Sequence, residues 1–363
     1  MKVLRIGEKV ARIPVIQGGM GVGVSRSNLA GAVAREGGIG IISTAQIGYD
    51  EEEFETDPVK ANRKAIEKHL SLAKEKAAGG MVGVNIMVAL RDYAEHVRAA
   101  VAAGADVIIS GAGIPAKLPE YVKGSSTKIA PIVSSAKAAR VLLQRWEKKY
   151  QRTADFIVIE GPKAGGHLGF SGEELKDIDG LDYDNRIREI IQVVQEFATH
   201  FHQKIPVIVA GGIFTAEDVK HAVDLGADGV QVASRFVVTK ECDASQAYKD
   251  AYIHGTADEI DVCSGRWRRW TAPSSSPRIS RCRRRGGAGR QSRCCCWRGY
   301  TCCWGGCEKG KRKARRRRVF LFGEKLQEGE QSALRGFRRR ARRCGRCAPH
   351  SPSPADRLWR RSR

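Results

Sequence analysis

The stretch that decides the fold is residues 206–236, PVIVAGGIFTAEDVKHAVDLGADGVQVASRF. It begins with a short apolar, β-branched run that passes through two glycines into a polar segment. Thr215, followed three residues later by Asp218, predicts the start of a helix over 215–225. Gly226 stands where a left-handed C-cap ends such a helix, and a second apolar run follows it. The stretch therefore predicts one strand–helix–strand unit.

The same pattern recurs over most of the chain. Each apolar run is followed by a glycine or a small polar residue and then by a longer amphipathic segment. The eight predicted strands are 15–17, 39–44, 81–88, 106–110, 129–134, 156–160, 206–210 and 229–233. Their nearly continuous apolar character is typical of strands buried on both faces, as in a parallel sheet.

Helices are predicted between these strands. They include residues 62–77, 92–103, 136–150, 184–202 and 215–225. Eight strand–helix units in about 235 residues match the size and rhythm of an α/β fold, the (β/α)8 TIM barrel. An open, doubly wound sheet is the alternative, and eight regular units favour the barrel over it.

Charge is distributed very unevenly along the chain. The 363 residues carry a formal net charge of +23. Residues 1–263 contain 32 Lys and Arg against 35 Asp and Glu, whereas residues 264–363 contain 31 against 5. Nine of the eleven cysteines also lie after residue 263. We therefore predict a barrel domain over 1–262 and an Arg- and Cys-rich low-complexity tail over 263–363.

Two interpretations of this tail are open. Its composition is what GC-rich codons yield out of frame, so the preferred hypothesis is a frameshift near residue 262. Few aliphatic residues are present to offset the entropy of ordering, so we expect disorder. The alternative is a nucleic-acid-binding segment in which Cys344 and Cys347 hold zinc. The cysteine runs 294–296 and 302–303 do not form two clean C-x2-C halves, and no specific nucleic-acid partner is predicted.

The chain contains no segment expected to enter a membrane. No stretch approaches about 18 uninterrupted apolar residues. Residues 1–15 alternate charged residues with single apolar ones, which leaves no apolar run for a signal peptide. No membrane partner is predicted, and a cytoplasmic location is the default expectation.

Candidate binding residues follow from the fold prediction. In a TIM barrel the reacting groups lie at the carboxyl ends of the strands. After the first strand, Gly18 and Gly19 precede Met20, and glycines there would let the backbone approach a flat ligand closely. Near the end of the third strand, Asn85 offers both a donor and acceptors. Ser134 ends the fifth strand.

The loop after the sixth strand contains the best candidate for a base. Residues 160–169 read EGPKAGGHLG. The strand-end rule aims His167, which follows Gly166, into the barrel mouth, where an imidazole can accept a proton near neutral pH. A turn histidine facing water fits the position equally well. The histidines at 69, 96, 200, 202 and 221 fall in predicted helices, where solvated or capping roles are expected.

The last two strands predict a phosphate site. Gly211 and Gly212 follow the seventh strand, and Ala233 and Ser234 follow the eighth. Loops at these places commonly bind phosphate in TIM barrels, because their unpaired backbone N–H groups favour an anion. A phosphorylated cofactor is implied, and simple tight turns are the alternative.

Two other kinds of site are not predicted. The glycines of 19–23 lack the G-x-G-x-x-G spacing of a dinucleotide-binding fold. No group of His, Cys, Asp and Glu has metal-ligand spacing, so no metal is expected.

Together these motifs resemble the nitronate monooxygenase (2-nitropropane dioxygenase) family, which is close to the FMN-dependent enoyl-acyl-carrier-protein reductases. The order and spacing of the motifs span residues 13–262. They are IQGGM at 16–20, GVN at 83–85, SGAGIP at 110–115, AGGH at 164–167, AGG at 210–212 and GVQVASRF at 229–236.

The resemblance implies FMN as the cofactor. Its ring would lie near Gly18, Gly19, Met20 and Asn85, and its phosphate on the four residues of the phosphate site named above. The resemblance also implies that His167 is the catalytic base. In the family's monooxygenases the flavin takes electrons from an alkyl nitronate, and O2 completes conversion to a carbonyl compound and nitrite. An alkyl nitronate and O2 are therefore the expected partners, and a homodimer is left open.

Two other functions are compatible with the same motifs. The related reductases reduce FMN with NAD(P)H and pass hydride to an enoyl thioester. A non-catalytic FMN-binding protein is a third hypothesis. The chain departs from the family after Asp261 and Val262, where the Arg- and Cys-rich tail replaces a further segment that family members use near the active site.

Overall fold

The computed structural model describes residues 3–256 together with residues 263–264 and 270–271. The chain divides into two compact units, Met1–Phe322 and Gly323–Arg363, and all described residues belong to the first. Its strands are β1 (Leu4–Ile6), β2 (Lys9–Ala11), β3 (Val15–Gln17), β4 (Ile39–Ser43), β5 (Met81–Met87), β6 (Val107–Gly111), β7 (Lys128–Val133), β8 (Ile157–Glu160), β9 (Val207–Ala210) and β10 (Gly229–Val232), with the short pair β11 (Cys263–Ser264) and β12 (Trp270–Thr271).

Strands β3 to β10 form a closed parallel barrel. The last strand returns to the first, with Val230 paired to Val15 and Val232 paired to Gln17. This closure confirms the TIM barrel and excludes the open sheet. Each of the eight predicted strands lies within one residue of an observed barrel strand at either end.

The helices cover the outside of the barrel. They are α1 (Ser27–Arg35), α2 (Pro58–Ala77), α3 (Tyr93–Ala102), α4 (Leu118–Tyr121), α5 (Ala136–Tyr150), α6 (Tyr183–His200), α7 (Ala216–Asp224), α8 (Ser234–Val237) and α9 (Gln246–His254). Thr215 and Asp218 form the predicted capping box at the start of α7. Gly226 has a φ of +107°, the left-handed conformation expected after the helix.

Side chains alternate between the two faces of each barrel strand. One set packs outward against the helices, as Val84, Ile108 and Val209 do. The other set points inward and fills the barrel, as Ile41, Ile109 and Val158 do. The interior is therefore a packed core, and its layer at the carboxyl ends of the strands is available for function.

The N-terminal hairpin closes the amino end of the barrel. Leu4, Ile6 and Ala11 belong to the same buried cluster as the inward strand residues. Lys9 Nζ donates to Asp106 Oδ1 at 2.7 Å, at the start of β6. The alternation of charged and apolar residues at the N-terminus is thus that of a two-stranded hairpin with one buried face.

The tail prediction concerns residues that lie almost wholly outside the described part of the chain. Apart from β11 and β12, which pair antiparallel, residues 257–363 are not described. The boundary at 262, the frameshift and the disorder of 263–363 therefore stay predictions. Among the described residues, no helix is both long and apolar enough to cross a membrane.

Candidate functional site

A ring of polar residues caps the inward face of the barrel at its carboxyl end. The inward parity of Ile39 and Ile41 continues to Ser43, and that of Ala130 and Ile132 continues to Ser134. The same parity places Asn85, Glu160 and Gln231 inward on their own strands. The apolar core thus gives way to a polar layer at the mouth, the place where barrel active sites lie.

The loop after β3 packs against two other predicted site residues. A Cβ built on Gly19 would overlap the Asn85 side chain, and one built on Gly18 would lie 3.2 Å from Ala233 Cβ. The Gly18 N–H also donates to Val232 O at 2.8 Å. The glycines therefore bring Asn85 and Ala233 to one place, because larger residues would push the loop away from both. Close packing within the protein requires them, in addition to any approach of a flat ligand.

Met20 lies on the same loop in a fixed backbone conformation. Its N–H donates to Ser25 Oγ at 2.8 Å, and its carbonyl accepts from Ser25 N at 2.9 Å. Its side chain packs on the buried cluster formed by Val24, Leu29 and Cys242. These hydrogen bonds and packing contacts thus fix the loop conformation without a ligand.

The loop after β8 crosses the glycine pair after β9. A Cβ on Gly211 would lie 3.0 Å from both Gly161 N and Ala164 N. Gly211 and Gly212 have φ values of +91° and +87°, which favour glycine. The two glycines therefore serve the turn that brings the β8 and β9 loops together, in agreement with the tight-turn interpretation, and this does not conflict with a binding role.

Three backbone donors at this end of the barrel are not engaged within the described residues. The N–H groups of Gly212, Ala233 and Ser234 have no acceptor in that part of the chain, whereas the register of β9 and β10 directs the Gly211 N–H to the Gln231 carbonyl. Ala233 lies next to Gly18, so these donors adjoin the β3 loop. Unpaired backbone donors grouped at one strand edge are suited to binding an anion.

The segment carrying His167 is anchored at its flanks and open at its centre. Ala164, Leu168, Phe170 and Leu175 form a small buried cluster, so both sides of the histidine are held. By contrast, Cβ atoms built on the glycines at 165 and 166 would meet nothing within 4 Å, and Gly166 has a φ of +98°. His167 is partly buried between them and the cluster.

Ser134 lies beside this same segment. A Cβ on Gly169 would lie 2.9 Å from Ser134 Cβ, so the backbone two residues after His167 rests on the end of β7. The structure thus gathers the predicted residues from the β7, β8 and β9 loops at the mouth. Ser110, quoted among the strand-end motifs, faces outward instead, and its Oγ lies 2.9 Å from Tyr93 Oη.

Glu160 has the most perturbed carboxyl group in this layer. Burial raises its pKa to about 8, and it forms no hydrogen bond or ion pair with a described side chain. Its titratable neighbour is Tyr183, whose hydroxyl is buried without a partner among the described residues and whose pKa is raised by burial. Glu160 is therefore largely neutral at pH 7.

Gln231 adds a second unusual group two strands away. Glu160 and Gln231 are both paired in register with Ala210, one from β8 and the other from β10. Gln231 Oε1 is buried without a hydrogen-bond partner among the described residues. An unpaired buried acceptor and a neutral carboxyl flanking one small alanine mark a place that is built to receive polar groups.

Sequence motifs did not single out Ser43, Glu160 or Gln231. The signal that identifies them is parity, because each continues the inward alternation of its strand beyond the last apolar residue. Burying a carboxyl group at the inward end of an apolar strand costs free energy, so its presence there points to a functional role.

Two of the other histidines do not match their expected roles. His69 and His96 are buried, so the expectation of solvated or capping roles is wrong for them. Burial lowers the pKa of each to about 4. His200 and His221 are exposed as expected, and each lies within 3.0 Å of a carboxylate. Among the described residues no group of three or more His, Cys, Asp or Glu could hold a metal ion.

Comparisons with known proteins agree with this architecture. The model of the nitronate monooxygenase family matches residues 5–269. A protein of Staphylococcus aureus (strain JH9) named "Probable nitronate monooxygenase" is 23% identical over 270 residues, covering 69% of this chain and 71% of its own.

A second curated relative is larger. The Mycobacterium tuberculosis "(3aS,4S,5R,7aS)-5-hydroxy-7a-methyl-1-oxo-octahydro-1H-indene-4-carboxyl-CoA dehydrogenase" is 26% identical over 245 residues, which cover 68% of this chain. The matched part spans only 58% of that relative, less than two thirds of its length.

Solved structures share the fold. FabK from Thermotoga maritima has a TM-score of 0.56 at 26% identity, covering 72% of this chain and 71% of its own. Nitroalkane oxidase from Streptomyces ansochromogenes has a TM-score of 0.57 at 20% identity, covering 75% and 79%.

Proposed function

Because the chain belongs to the nitronate monooxygenase family of flavin oxidoreductases, we propose that it is an FMN-dependent nitronate monooxygenase. It would convert alkyl nitronates with O2 to a carbonyl compound and nitrite. The observation that carries this proposal is the group of three unengaged backbone donors at Gly212, Ala233 and Ser234, next to Gly211. A phosphate would accept from them, and Gly18, which contacts Ala233, adjoins the loop proposed to hold the ring.

The residues at the mouth fit FMN. The ring would rest near Gly18, Gly19, Met20 and Asn85, and the Asn85 amide has no hydrogen-bond partner among the described residues. Unpaired polar groups such as Gln231 Oε1 can accept hydrogen bonds from ligand hydroxyl or N–H groups. Ser134 and Gly166 would line the same space from the β7 and β8 loops. When bound, FMN supplies the redox chemistry that amino-acid side chains lack.

The chain's own residues would accept the substrate proton and set the charge of the site. His167, on a segment anchored at both flanks, is the proposed base, and it would accept the carbon-bound proton of a substrate that enters as the neutral nitroalkane rather than as its nitronate. Glu160 is neutral at pH 7, because burial raises its pKa to about 8, and so it does not repel an anionic nitronate. A carboxylate with an ordinary pKa at this position would oppose binding of such a substrate.

The first test is an anaerobic absorbance spectrum of the purified full-length chain. An alkyl nitronate is added first and, in a separate sample, NADH or NADPH. Flavin bands that bleach with the nitronate but not with the nicotinamides support the proposal. Flavin that bleaches with neither substrate indicates a non-catalytic flavin-binding protein. Absence of bound flavin, with none taken up from added FMN, would overturn the cofactor assignment.

The second candidate is an NAD(P)H-dependent flavin reductase acting on enoyl thioesters. The similarity to FabK at 26% identity favours this alternative, as does the relative named as a CoA-ester dehydrogenase. The same spectrum distinguishes it, because rapid bleaching by NADH or NADPH followed by reoxidation with an enoyl thioester is expected only of the reductase.

A further inference from the structure

Lys163 lies directly over the glycine pair proposed to bind phosphate. A Cβ built on Gly212 would lie 3.2 Å from Lys163 Cβ and 3.4 Å from Lys163 Cδ. The aliphatic stem of the lysine therefore runs along the Gly212 backbone. Gly211 is packed against the residue that follows the lysine, since its Cβ position is 3.0 Å from Ala164 N. The contact is thus set by the crossing of two loops.

The Lys163 ammonium group is not neutralised by a close partner among the described residues. Lys163 Nζ lies 4.0 Å from Asp179 Oδ1, and the Asp179 side chain is 96% exposed. Such a pair contributes little in water. The lysine side chain is itself 56% exposed and is free to move toward an anion.

The acidic and basic groups nearby are already engaged. Asp218 accepts from the N–H groups of Phe214 and Thr215 at 2.8 and 2.7 Å. Burial acts to raise the pKa of Asp218, but these hydrogen bonds and the charge of Lys163 lower it overall. Arg235 Nη1 donates to Phe214 O at 2.6 Å, and its guanidinium stacks on the Phe214 ring. Lys163 is therefore the available cation beside Gly212 in the described part of the chain.

We propose that Lys163 binds the phosphate group of the cofactor and so determines preference for a phosphorylated flavin over one that lacks the phosphate. This inference rests on the proposed function, in which that phosphate lies on Gly211, Gly212, Ala233 and Ser234. Backbone donors supply hydrogen bonds but no net charge, whereas a phosphate near neutral pH carries between one and two negative charges. A lysine acts on such a group as a mobile point charge.

The test compares FMN with riboflavin, which differ only in the phosphate. Flavin is removed from the full-length chain, and both ligands are titrated while quenching of their fluorescence is followed. The variants are Lys163→Gln, which removes the charge, and Lys163→Arg, which keeps it. Lys176→Gln is the matched control, since Lys176 is an exposed lysine of the same connection, paired with Glu173 at 2.7 Å.

We expect K163Q to bind FMN about three- to tenfold more weakly and to bind riboflavin unchanged. K163R and K176Q should retain the wild-type preference for FMN. The FMN affinity of the wild-type chain should fall with added salt more steeply than that of K163Q, because the lost interaction is ionic.

Three results would overturn the proposal, and they have different meanings. If K163Q loses the same factor in affinity for FMN and for riboflavin, Lys163 has a packing role only. A wild-type preference for FMN that K163Q leaves intact would remove Lys163 from the phosphate site and leave the proposed function standing. If the wild-type chain binds riboflavin as tightly as FMN, the phosphate site itself is wrong and both proposals fail.

Discussion

Glu160 is the residue for which sequence position and chemistry conflict most strongly. It ends an otherwise apolar strand, and burial raises the pKa of its carboxyl group to about 8 from an ordinary value of 4.5. Folding therefore favours the protonated form. The sign follows from linkage: this stability is fully present below about pH 4.5 and is lost as pH rises through about 8.

Glu160→Gln should remove this pH dependence. In the flavin-free wild-type chain, Glu160 should lower the free energy of unfolding by on the order of 2–4 kcal/mol between pH 5 and pH 8.5. In E160Q that loss should be absent, because the amide does not ionise. Urea unfolding followed by circular dichroism at a series of pH values measures the difference.

A matched control separates this effect from general charge removal. Glu196→Gln removes an exposed carboxylate that pairs with Arg140 at 2.6 Å, and it should leave the alkaline slope as in the wild type. If E160Q and the wild type lose stability in parallel above pH 5, Glu160 is ionised in the folded chain and its proposed neutral role is wrong.

His167 is tested by a pair of substrates that differ by one proton. A neutral nitroalkane must lose a carbon-bound proton before oxidation, whereas its nitronate has already lost it. His167→Asn should slow oxidation of the nitroalkane at least about 100-fold and that of the nitronate less than tenfold. Nitrite release and flavin content are measured for both substrates.

The control for this comparison is His200→Asn, which changes an exposed histidine paired with Glu147 on the helical layer. It should oxidise both substrates as the wild type does. Equal losses on nitroalkane and nitronate in H167N, or a wild-type chain that never oxidises nitroalkanes, would reject proton abstraction by His167.

At the scale of elements, three aspartates join adjacent strands. Each precedes a barrel strand, and each accepts the N–H of a residue in the strand before that one. Val82 N donates to Asp106 at 2.9 Å, Ile129 N to Asp155 at 2.8 Å and Val207 N to Asp228 at 3.0 Å. They fix the stagger of neighbouring strands at the amino end and so fix which residues reach the mouth.

Asp106 is the most informative of the three, because it also binds Lys9 of the N-terminal hairpin. Asp106→Ala should destabilise the chain by about 2–3 kcal/mol, since it leaves the buried Val82 N–H without an acceptor and frees the hairpin. Asp106→Asn should destabilise the chain by about half as much, because the amide oxygen still accepts the Val82 N–H. Chemical unfolding with urea measures both.

Asp224→Ala is the appropriate comparison at this scale. Asp224 is exposed and pairs with Lys220 within α7, so its loss should change stability by less than about 0.5 kcal/mol. If D106A is no more destabilising than D224A, the aspartate does not stabilise the strand register.

The barrel could be predicted from the sequence because buried parallel strands are nearly continuous apolar runs with glycine breaks. The elements and residues that the sequence did not predict were missed for physical reasons. Helix α1 was not predicted, because it contains Gly31, a poor helix former. A glycine is needed there, since a Cβ would lie 2.6 Å from Lys76 Cβ of α2. The hairpin strands are too short for a clear period. Glu160 and Gln231 depend on strand parity, which a motif search does not use.

At the scale of the whole molecule, stability should fall on both sides of neutral pH for different reasons. Glu160 acts on the alkaline side. On the acid side, burial lowers the pKa of His69 and His96 to about 4 from 6.5. A histidine whose folded pKa is lowered contributes stability above about pH 6.5, and that stability is lost as pH falls through about 4.

Of the two histidines, His96 is the better one with which to test this loss of stability at low pH. His69 Nδ1 lies 3.1 Å from Ser27 Oγ, whereas His96 Nδ1 is buried without a partner among the described residues. His96→Leu therefore removes a group that must gain a proton in an apolar place, at little cost in hydrogen bonding. Between pH 6.5 and pH 4, the free energy of unfolding of the variant should fall by about 2–3 kcal/mol less than that of the wild type.

Unfolding free energies at half-unit pH steps measure this difference. His202→Leu, at an exposed site after α6, should keep the wild-type acid slope. Carboxylates whose pKa values are lowered by partners also lose their stabilisation as pH falls, starting near their ordinary values of 3.8 for Asp50 and 4.5 for Glu51, but the H96L and wild-type chains share that loss. An H96L chain that loses stability between pH 6.5 and pH 4 as steeply as the wild type would show that His96 gains its proton without opposing the fold.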